Sequence, residues 1–520
     1  MTSGLSNRGD VAAKPNDGML LWTIIKDLWD PKDNPGGYVS LGIAENTLMH
    51  DKLSAHIHAN LAVPNHSFTY GDGMTGSKRL KASLARFLTE RLKPLGDRAS
   101  GLGAREPGRG FLLGQPHYGA FFPDVEYRTG CKLVQVPFHE VDPFGLDAVR
   151  KYEDALSAAR AKGTRIAALI LCHPHNPLGR CYPRETIVGL MRLCQEHDMH
   201  LISDEIYALS VWNNTLDTDP APVPFESCLS ISTAGVMDPR RLHVLWGMSK
   251  DFGANGIRLG AVVSQHNPAL HDSLTPVGIY SSPSAIADHA TANILDDRAW
   301  VDGYVEENRR RLQESFELVA GWARDGGIEY ARGANAAFFL WVDLGKAYRA
   351  RRPGREVRDV AAEVMAALLE KKVFLASGEQ FGSERPGWFR IVFSNNGEVV
   401  SEGLRRIAAH TDGDIGRQLS EGNVYVDSVI LQTLQDYPRW DQEGALLRYK
   451  PLNFDKIHPG FRDVWASWYA VVVFGWINIW NAEKVDQGPV EYSDFELDGK
   501  FMRRTKENRA GIGPGLIYVQ

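Results

Sequence analysis

Across residues 39–410, short runs of β-branched and apolar residues alternate with stretches whose apolar positions recur every three or four residues. That alternation is how an α/β domain built on a mostly parallel sheet reads. RIAALILC (165–172), MHLIS (199–203), LHVLW (242–246) and LGAVVS (259–264) predict continuous, buried strands. Between and after them, RETIVGLMRLCQEHD and SAIADHATANILDD carry apolar residues at helical spacing. A later block, ANAAFFLWVDL, EVRDVAAEVMAALLEKKVFLASG and GWFRIVFS, predicts strand, helix, strand and a second, smaller domain.

The two ends of the chain break this rhythm. The polar opening, MTSGLSNRGDVAAKPNDG, lacks the apolar core of a secretory signal and predicts a mobile arm, with the arm as a whole covering residues 1–38. HTDGDIGRQLSEGN, from His410, predicts a linker. The remainder of residues 411–520 is rich in Trp and Tyr, and neither its fold nor its function is predicted. Its uncharged run VWASWYAVVVFGWINIW (464–480) is short for a membrane helix and dominated by β-branched and aromatic residues, so buried strands are preferred over a transmembrane span.

Composition narrows the partners. The chain has 520 residues and a formal net charge of −6, so it has ample core and no global basic field for nucleic acid or an acidic membrane. Five irregularly spaced cysteines, an odd number, argue against a disulfide framework or a zinc cluster. The expectation is a reducing, cytoplasmic compartment, a small-molecule partner or a second copy of the chain, and no bound metal.

The chemistry gathers at strand ends, where ligands of open parallel sheets sit. HPHNPLG places Asn176 after one strand, SDEIYA places Asp204 and Tyr207 after the next, GMSKDFG places Lys250 after a third, and Arg258 opens the strand that follows. An amine, a carboxylate, a phenol, a carboxamide and a guanidinium in one crevice match the needs of pyridoxal 5′-phosphate. The amine forms the Schiff base, the carboxylate keeps the pyridine nitrogen protonated, the phenol and amide hold the 3′-oxygen, and the guanidinium fork suits the phosphate. Each residue alone has a plainer reading as a cap, a turn former or a solvated charge; their order along the chain is what points to a site.

HPHNPLG, SDEIYA, SKDFGANGIRLG and RPGWFR together resemble the class I aminotransferases of fold type I, in particular the subgroup of 1-aminocyclopropane-1-carboxylate synthases. The resemblance implies a large domain with a mostly parallel seven-stranded sheet over residues 39–300, with residues near 39–60 joining the small domain, and a small α/β domain over residues 301–410. It implies a homodimer with shared active sites. Lys250 would be the Schiff-base lysine, Asp204 the pyridinium partner, Tyr207 and Asn176 the ligands of the 3′-oxygen, Arg258 the phosphate arginine and Arg390 the clamp for the substrate α-carboxylate. Tyr118 resembles the aromatic that stacks on the ring and Tyr70 the tyrosine lent to the neighbouring subunit's phosphate. Asn335 would face the site from the small domain. Core packing or turn formation are the alternatives for these last three. Glu45 in LGIAENTL resembles the glutamate that orients substrate in the synthases; its other reading is an acid at a helix start.

The chain departs from that pattern twice. Gly247 stands where relatives carry a serine or threonine that binds phosphate, leaving Ser249 as the nearby hydroxyl. ASGLGA (99–104), with Gly103 and Ala104, resembles the phosphate turn, but most of the helix whose N-terminal amides should cradle the phosphate is missing before REPGRG. Either the loop compensates, or cofactor binds weakly, or this stretch of sequence is itself imperfect. The expected activity is a pyridoxal phosphate enzyme acting on an α-amino acid, aminotransferase or synthase-like, in amino-acid or specialised metabolism. A C–S lyase and a degenerate relative without cofactor are the alternatives.

Overall fold

The computed structural model describes residue 4 and residues 18–411, apart from residues 74, 96–108, 128, 279–280, 351 and 353–355. Gly103, Ala104, the phosphate turn and the whole of residues 412–520 therefore lie outside the described residues.

Eleven strands are described: β1 (Val39–Ser40), β2 (Arg109–Gly114), β3 (Lys132–Val136), β4 (Arg165–Cys172), β5 (His200–Asp204), β6 (Leu242–Gly247), β7 (Gly260–Val263), β8 (Phe339–Asp343), β9 (Val373–Phe374), β10 (Ala376–Ser377) and β11 (Trp388–Val392). The main sheet has the order β3-β2-β4-β5-β6-β7, parallel except for the antiparallel β6–β7 pair. The resemblance implied seven strands. Six are present among the described residues, and residues 96–108, which include the ASGLGA turn, lie outside them. β4 has the bounds its apolar run predicts and is buried from Ile166 to Cys172, as a central parallel strand covered on both faces must be.

Two corrections concern the lysine region. Arg258 does not open β7: it sits two residues before the strand in a left-handed conformation (φ 58°), at the end of the turn Asn255–Ile257. The strand it precedes is antiparallel and lies at the sheet edge, so β7 is only partly buried.

Two apolar cores carry the fold. The first packs the main sheet between helices, with Leu112, Leu169, Leu201 and Val244 from the strands and Leu80, Leu156, Leu190 and Leu295 from the helices. The second surrounds the antiparallel sheet β10-β11-β8 and includes Val39 and Leu41 together with Phe316, Phe339, Phe389 and Ile407. The helix Arg298–Asp325 runs through both: Val301, Tyr304 and Val305 belong to the first, Leu312, Phe316 and Val319 to the second. β1 pairs in parallel with β9, which brings the segment after it, residues 41–48, across to the mouth of the main sheet.

Helix starts are set locally. Ser77 accepts from the Leu80 amide and Ser284 from the Ala287 amide, the side-chain caps that satisfy otherwise orphaned donors. All five cysteines are free and buried, in keeping with the absence of a disulfide framework. Among the described residues no helix is long and apolar enough to cross a membrane; the apolar run 464–480 lies outside them.

Candidate active site

Three strand ends of the main sheet and one strand of the small sheet converge on one crevice. Asn176 follows β4, Asp204 ends β5, Tyr207 lies in the turn after it, and Lys250 sits on the four-residue helix Met248–Asp251 directly after β6. Arg390 comes from the middle of β11.

The Lys250 amine is half-buried and donates to the Ala44 carbonyl at 2.6 Å. Burial holds its pKa down at about 8, and the positive field of Arg390 works in the same direction against the opposing carboxylates of Glu45 and Asp204. Burial pushes the Asp204 carboxyl up to about 6, with the Ile206 amide at 3.3 Å and Lys250 pulling it back. Tyr207 is 2% exposed and stands edge-on to Phe338 and Phe339 at ring separations of 5.2 and 5.4 Å.

Arg390 is the most constrained of the set. Its Nη1 donates to Asn176 Oδ1 at 2.9 Å and its Nη2 to the Gly42 carbonyl at 2.7 Å. Its guanidinium lies 4.4 and 4.7 Å from the rings of Phe339 and Phe381. Burial lowers its pKa to about 10, and its Nε is buried without a partner. A buried cation with an open donor is a site prepared for an anion. Tyr118 is 37% exposed and within the electrostatic reach of Arg390 and Asp204. Its loop is held to the small sheet's side by the His117 amide donating to Phe381 O at 2.8 Å and Gln115 Nε2 donating to Gly382 O at 2.6 Å.

The segment 41–48 closes the crevice. Gly253 has φ 61°, and any Cβ there would collide with the Asn46 carbonyl oxygen. His50 Nε2 lies 2.9 Å from Gly253 O and Asn255 Nδ2 donates to Ala44 O at 3.3 Å, so LGIAENTL is packed on the lysine turn. Glu45 lies in irregular chain before the helix His50–Asn60, which removes the helix-start reading and leaves it exposed beside Lys250.

Lys250, Asp204, Tyr207, Asn176, Tyr118, Arg390, Glu45 and Arg258 are thus brought into one electrostatic neighbourhood. Asn335, Tyr70 and Ser249 are placed differently, and Arg258, though within reach of Lys250, lies at the surface. Asn335 is buried, donates to Val223 O at 2.8 Å and keeps an unpartnered Oδ1. Tyr70 is 89% exposed. Ser249 is half-buried beside the lysine, and Arg258 is exposed, donating to the Asn255 carbonyl at 3.1 Å. Gly247 has a steric cause: a Cβ there would lie 2.8 Å from Leu259 O and 3.2 Å from the Gly260 Cα, because β6 and β7 pass closely at this point.

Several contributors escaped the sequence reading: Asp251, Phe339, Phe381 and the backbone carbonyls of Gly42 and Ala44. Only Asp251 carried a signal, as an acid directly beside Lys250 in a glycine-rich stretch.

The residues present fit pyridoxal phosphate by the chemistry of the donor set: a partly desolvated amine, a carboxylate held near neutrality and a buried guanidinium with an unused donor. The model for aminotransferase class I and II matches residues 96–407, more than half of the chain. The chain belongs to that family, whose members are pyridoxal phosphate enzymes, and is an aminotransferase-like enzyme.

Within the family it is 32% identical over 422 residues to 1-aminocyclopropane-1-carboxylate synthase-like protein 1 of Bos taurus, covering 76% of this chain and 80% of that one. It is 30% identical over 412 residues to 1-aminocyclopropane-1-carboxylate synthase 3 of Oryza sativa subsp. japonica, covering 74% and 89%. The Thermus thermophilus aspartate aminotransferase with maleate shares its fold with a TM-score of 0.61 and 21% identity, over 78% of this chain and 99% of that one.

Proposed function

We propose that the crevice acts on the Cα–H bond of an α-amino acid, with Lys250 as the proton carrier at Cα. The observation that carries this reading is the Lys250 amine, held at about pKa 8 by burial and set between Arg390, Glu45 and Asp204. An amine with that pKa both accepts and returns a proton near neutral pH.

Arg390 binds the substrate α-carboxylate through its open Nε–H, and Asn176 and Gly42 fix the guanidinium plane for that task. Asp204 would hold a proton on the pyridine nitrogen of a bound cofactor, Tyr207 and Asn176 would hold its 3′-oxygen, and Tyr118 would stack on its ring. Ser249 and Arg258 serve the phosphate, together with Gly103 and Ala104. Asn335 and Glu45 contact substrate from the small domain and from the segment that closes the crevice. Pyridoxal phosphate, when bound, supplies the sink for the electron pair left on Cα.

The reading extends to a cytoplasmic enzyme of amino-acid or specialised metabolism, working as a homodimer. The 63, 74 and 89% exposure of Trp22, Phe68 and Tyr70 supports the dimer, in which Tyr70 would serve the neighbouring subunit's phosphate. The two cores, both reached by the helix Arg298–Asp325, support a division into a large and a small domain.

Purified protein titrated with pyridoxal 5′-phosphate is expected to gain a visible absorption band that Lys250→Ala lacks; no band at any cofactor concentration overturns the reading. Incubation of the loaded enzyme with amino acids then sorts the reactions. Keto-acid-dependent amino transfer identifies an aminotransferase. Methylthioadenosine from S-adenosylmethionine identifies the synthase reaction, and pyruvate with ammonia and no co-substrate identifies a lyase. A second reading, a relative that keeps the fold without the cofactor, draws on Gly247, where the close strand crossing excludes the phosphate-binding hydroxyl.

A further inference from the structure

The residue next to Lys250 has no part in the chemistry described so far. Asp251 is 1% exposed, yet its carboxylate accepts four hydrogen bonds: from the Ser210 amide at 3.0 Å and hydroxyl at 2.7 Å on Oδ1, and from the Leu209 amide and Trp246 Nε1 at 3.1 and 2.9 Å on Oδ2. These donors come from two elements. Leu209 and Ser210 end the turn that carries Tyr207, and Trp246 stands one residue before the end of β6. The chain of contacts continues: the Ser210 carbonyl accepts from the Ala337 amide at 2.8 Å, and Phe338 and Phe339, the next residues, form the wall behind Tyr207 and beneath Arg390.

Lys250 leaves the turn toward Ala44 while Asp251 leaves it toward the core. The helix carrying both has only four residues, too short to fix its own orientation by backbone hydrogen bonds. We infer that Asp251 is a positioning residue: its four-fold clamp holds the lysine turn in register with the Tyr207 turn and with the small-sheet wall, and so sets where the Lys250 amine meets the cofactor. The inference rests on the reading of Lys250 as the cofactor-binding residue. An error of about 1 Å in such a placement is enough to cost orders of magnitude in reactivity.

The test is cofactor attachment rather than turnover. Full-length variants are titrated with pyridoxal 5′-phosphate, the visible band is followed, borohydride reduction fixes the cofactor, and mass spectrometry of the Lys250 peptide gives the fraction attached. Asp251→Asn turns an amide NH2 toward two N–H donors and is expected to weaken attachment by about tenfold or more at temperatures where the protein is folded. Trp246→Phe and Ser210→Ala each remove one donor and are expected to weaken it by about threefold at temperatures where the protein is folded, Trp246→Phe with a lower melting temperature because the smaller ring leaves a gap in the core. Asp217→Asn is the control, because Asp217 is another buried carboxylate, 4% exposed, whose partners Asn214, Tyr330, Arg324 and Gly333 include none of the donors that hold Asp251. It should lower the melting temperature and leave attachment unchanged.

Attachment in Asp251→Asn equal to wild type, or an equal loss in Asp217→Asn, overturns the inference. If Asp251→Asn does not fold, unchanged attachment in both Trp246→Phe and Ser210→Ala overturns it. A wild-type chain that takes up no cofactor overturns the proposed function and this inference with it, whereas a normal wild type with indifferent variants overturns the inference alone.

Discussion

The two ends of the crevice are built differently. At the end proposed for the cofactor ring, Asp204, Tyr207, Asn176 and Arg390 sit on strands or in turns next to them, and Asp251, beside the lysine, accepts four buried hydrogen bonds. At the end proposed for the phosphate, Arg258 is exposed in a left-handed turn and held by one described hydrogen bond, and Tyr70 is open to solvent. Gly247 offers no hydroxyl there. Beside that end a cavity of about 470 Å³ runs along the β7 edge, lined by Leu80, Leu84, Arg258 and Val262 among others. Groups that must hold an exact geometry are over-determined by buried hydrogen bonds. A phosphate needs positive charge and donors more than a single geometry, and an exposed arginine can supply them at lower affinity.

This contrast can be broken or sharpened by substitution. The largest effect is expected for Lys250→Ala, which should abolish both the visible band and turnover, read by absorption and by product formation. Arg390→Ala should follow, raising KM by the loss of about 2–5 kcal/mol of substrate binding with cofactor attachment retained, measured by steady-state kinetics and titration. Should cofactor attachment fall as far as substrate binding, the assignment of Arg390 to the substrate end fails.

Third in size is Arg258→Ala, expected to weaken cofactor affinity by about tenfold while leaving kcat unchanged at saturating cofactor. A fall in kcat that added cofactor does not restore would show that the two ends are not separable. The rate of cofactor attachment should rise with pH and level off above about 8, the value to which burial lowers the Lys250 amine from 10.5. The sign also reaches stability: between pH 8 and 10.5 the unfolded chain binds a proton that the folded one does not, so folding gains from this group as pH rises through that window. The smallest change is expected for Gly247→Ser. Its Cβ would press on the Leu259 carbonyl, and the cost of about 1–3 kcal/mol should appear as a lower melting temperature without tighter cofactor binding. A gain in cofactor affinity would mean that the strands can separate and that the glycine is no steric necessity.

The alternation of apolar runs was enough to mark β4, β5, β6 and the helices Arg184–Glu196 and Ala285–Asp296 within a residue or two, because central parallel strands must be apolar on both faces and surface helices on one. The strand-end polar residues were legible for the same reason: Asp204 and Lys250 stand out where an apolar run stops. Glu45 was harder. Its surroundings in the chain suggest a helix start, and only the β1–β9 pairing, formed across the chain, carries it past that to the lysine.

By itself the sequence determined the α/β class, and it proposed the order and chemical types of the candidate site residues, since these depend on local pattern and on which functional groups follow each strand. The tertiary structure decided the rest. It set the pairing of Arg390 with Asn176 across the two sheets, the packing of residues 41–48 on the lysine turn and the collision that makes position 247 a glycine. It also set the placement of Asp251 among three donor residues. Each of these depends on distances between segments far apart in the chain or on the crossing of neighbouring strands, and a linear pattern carries no information about a gap that only packing defines.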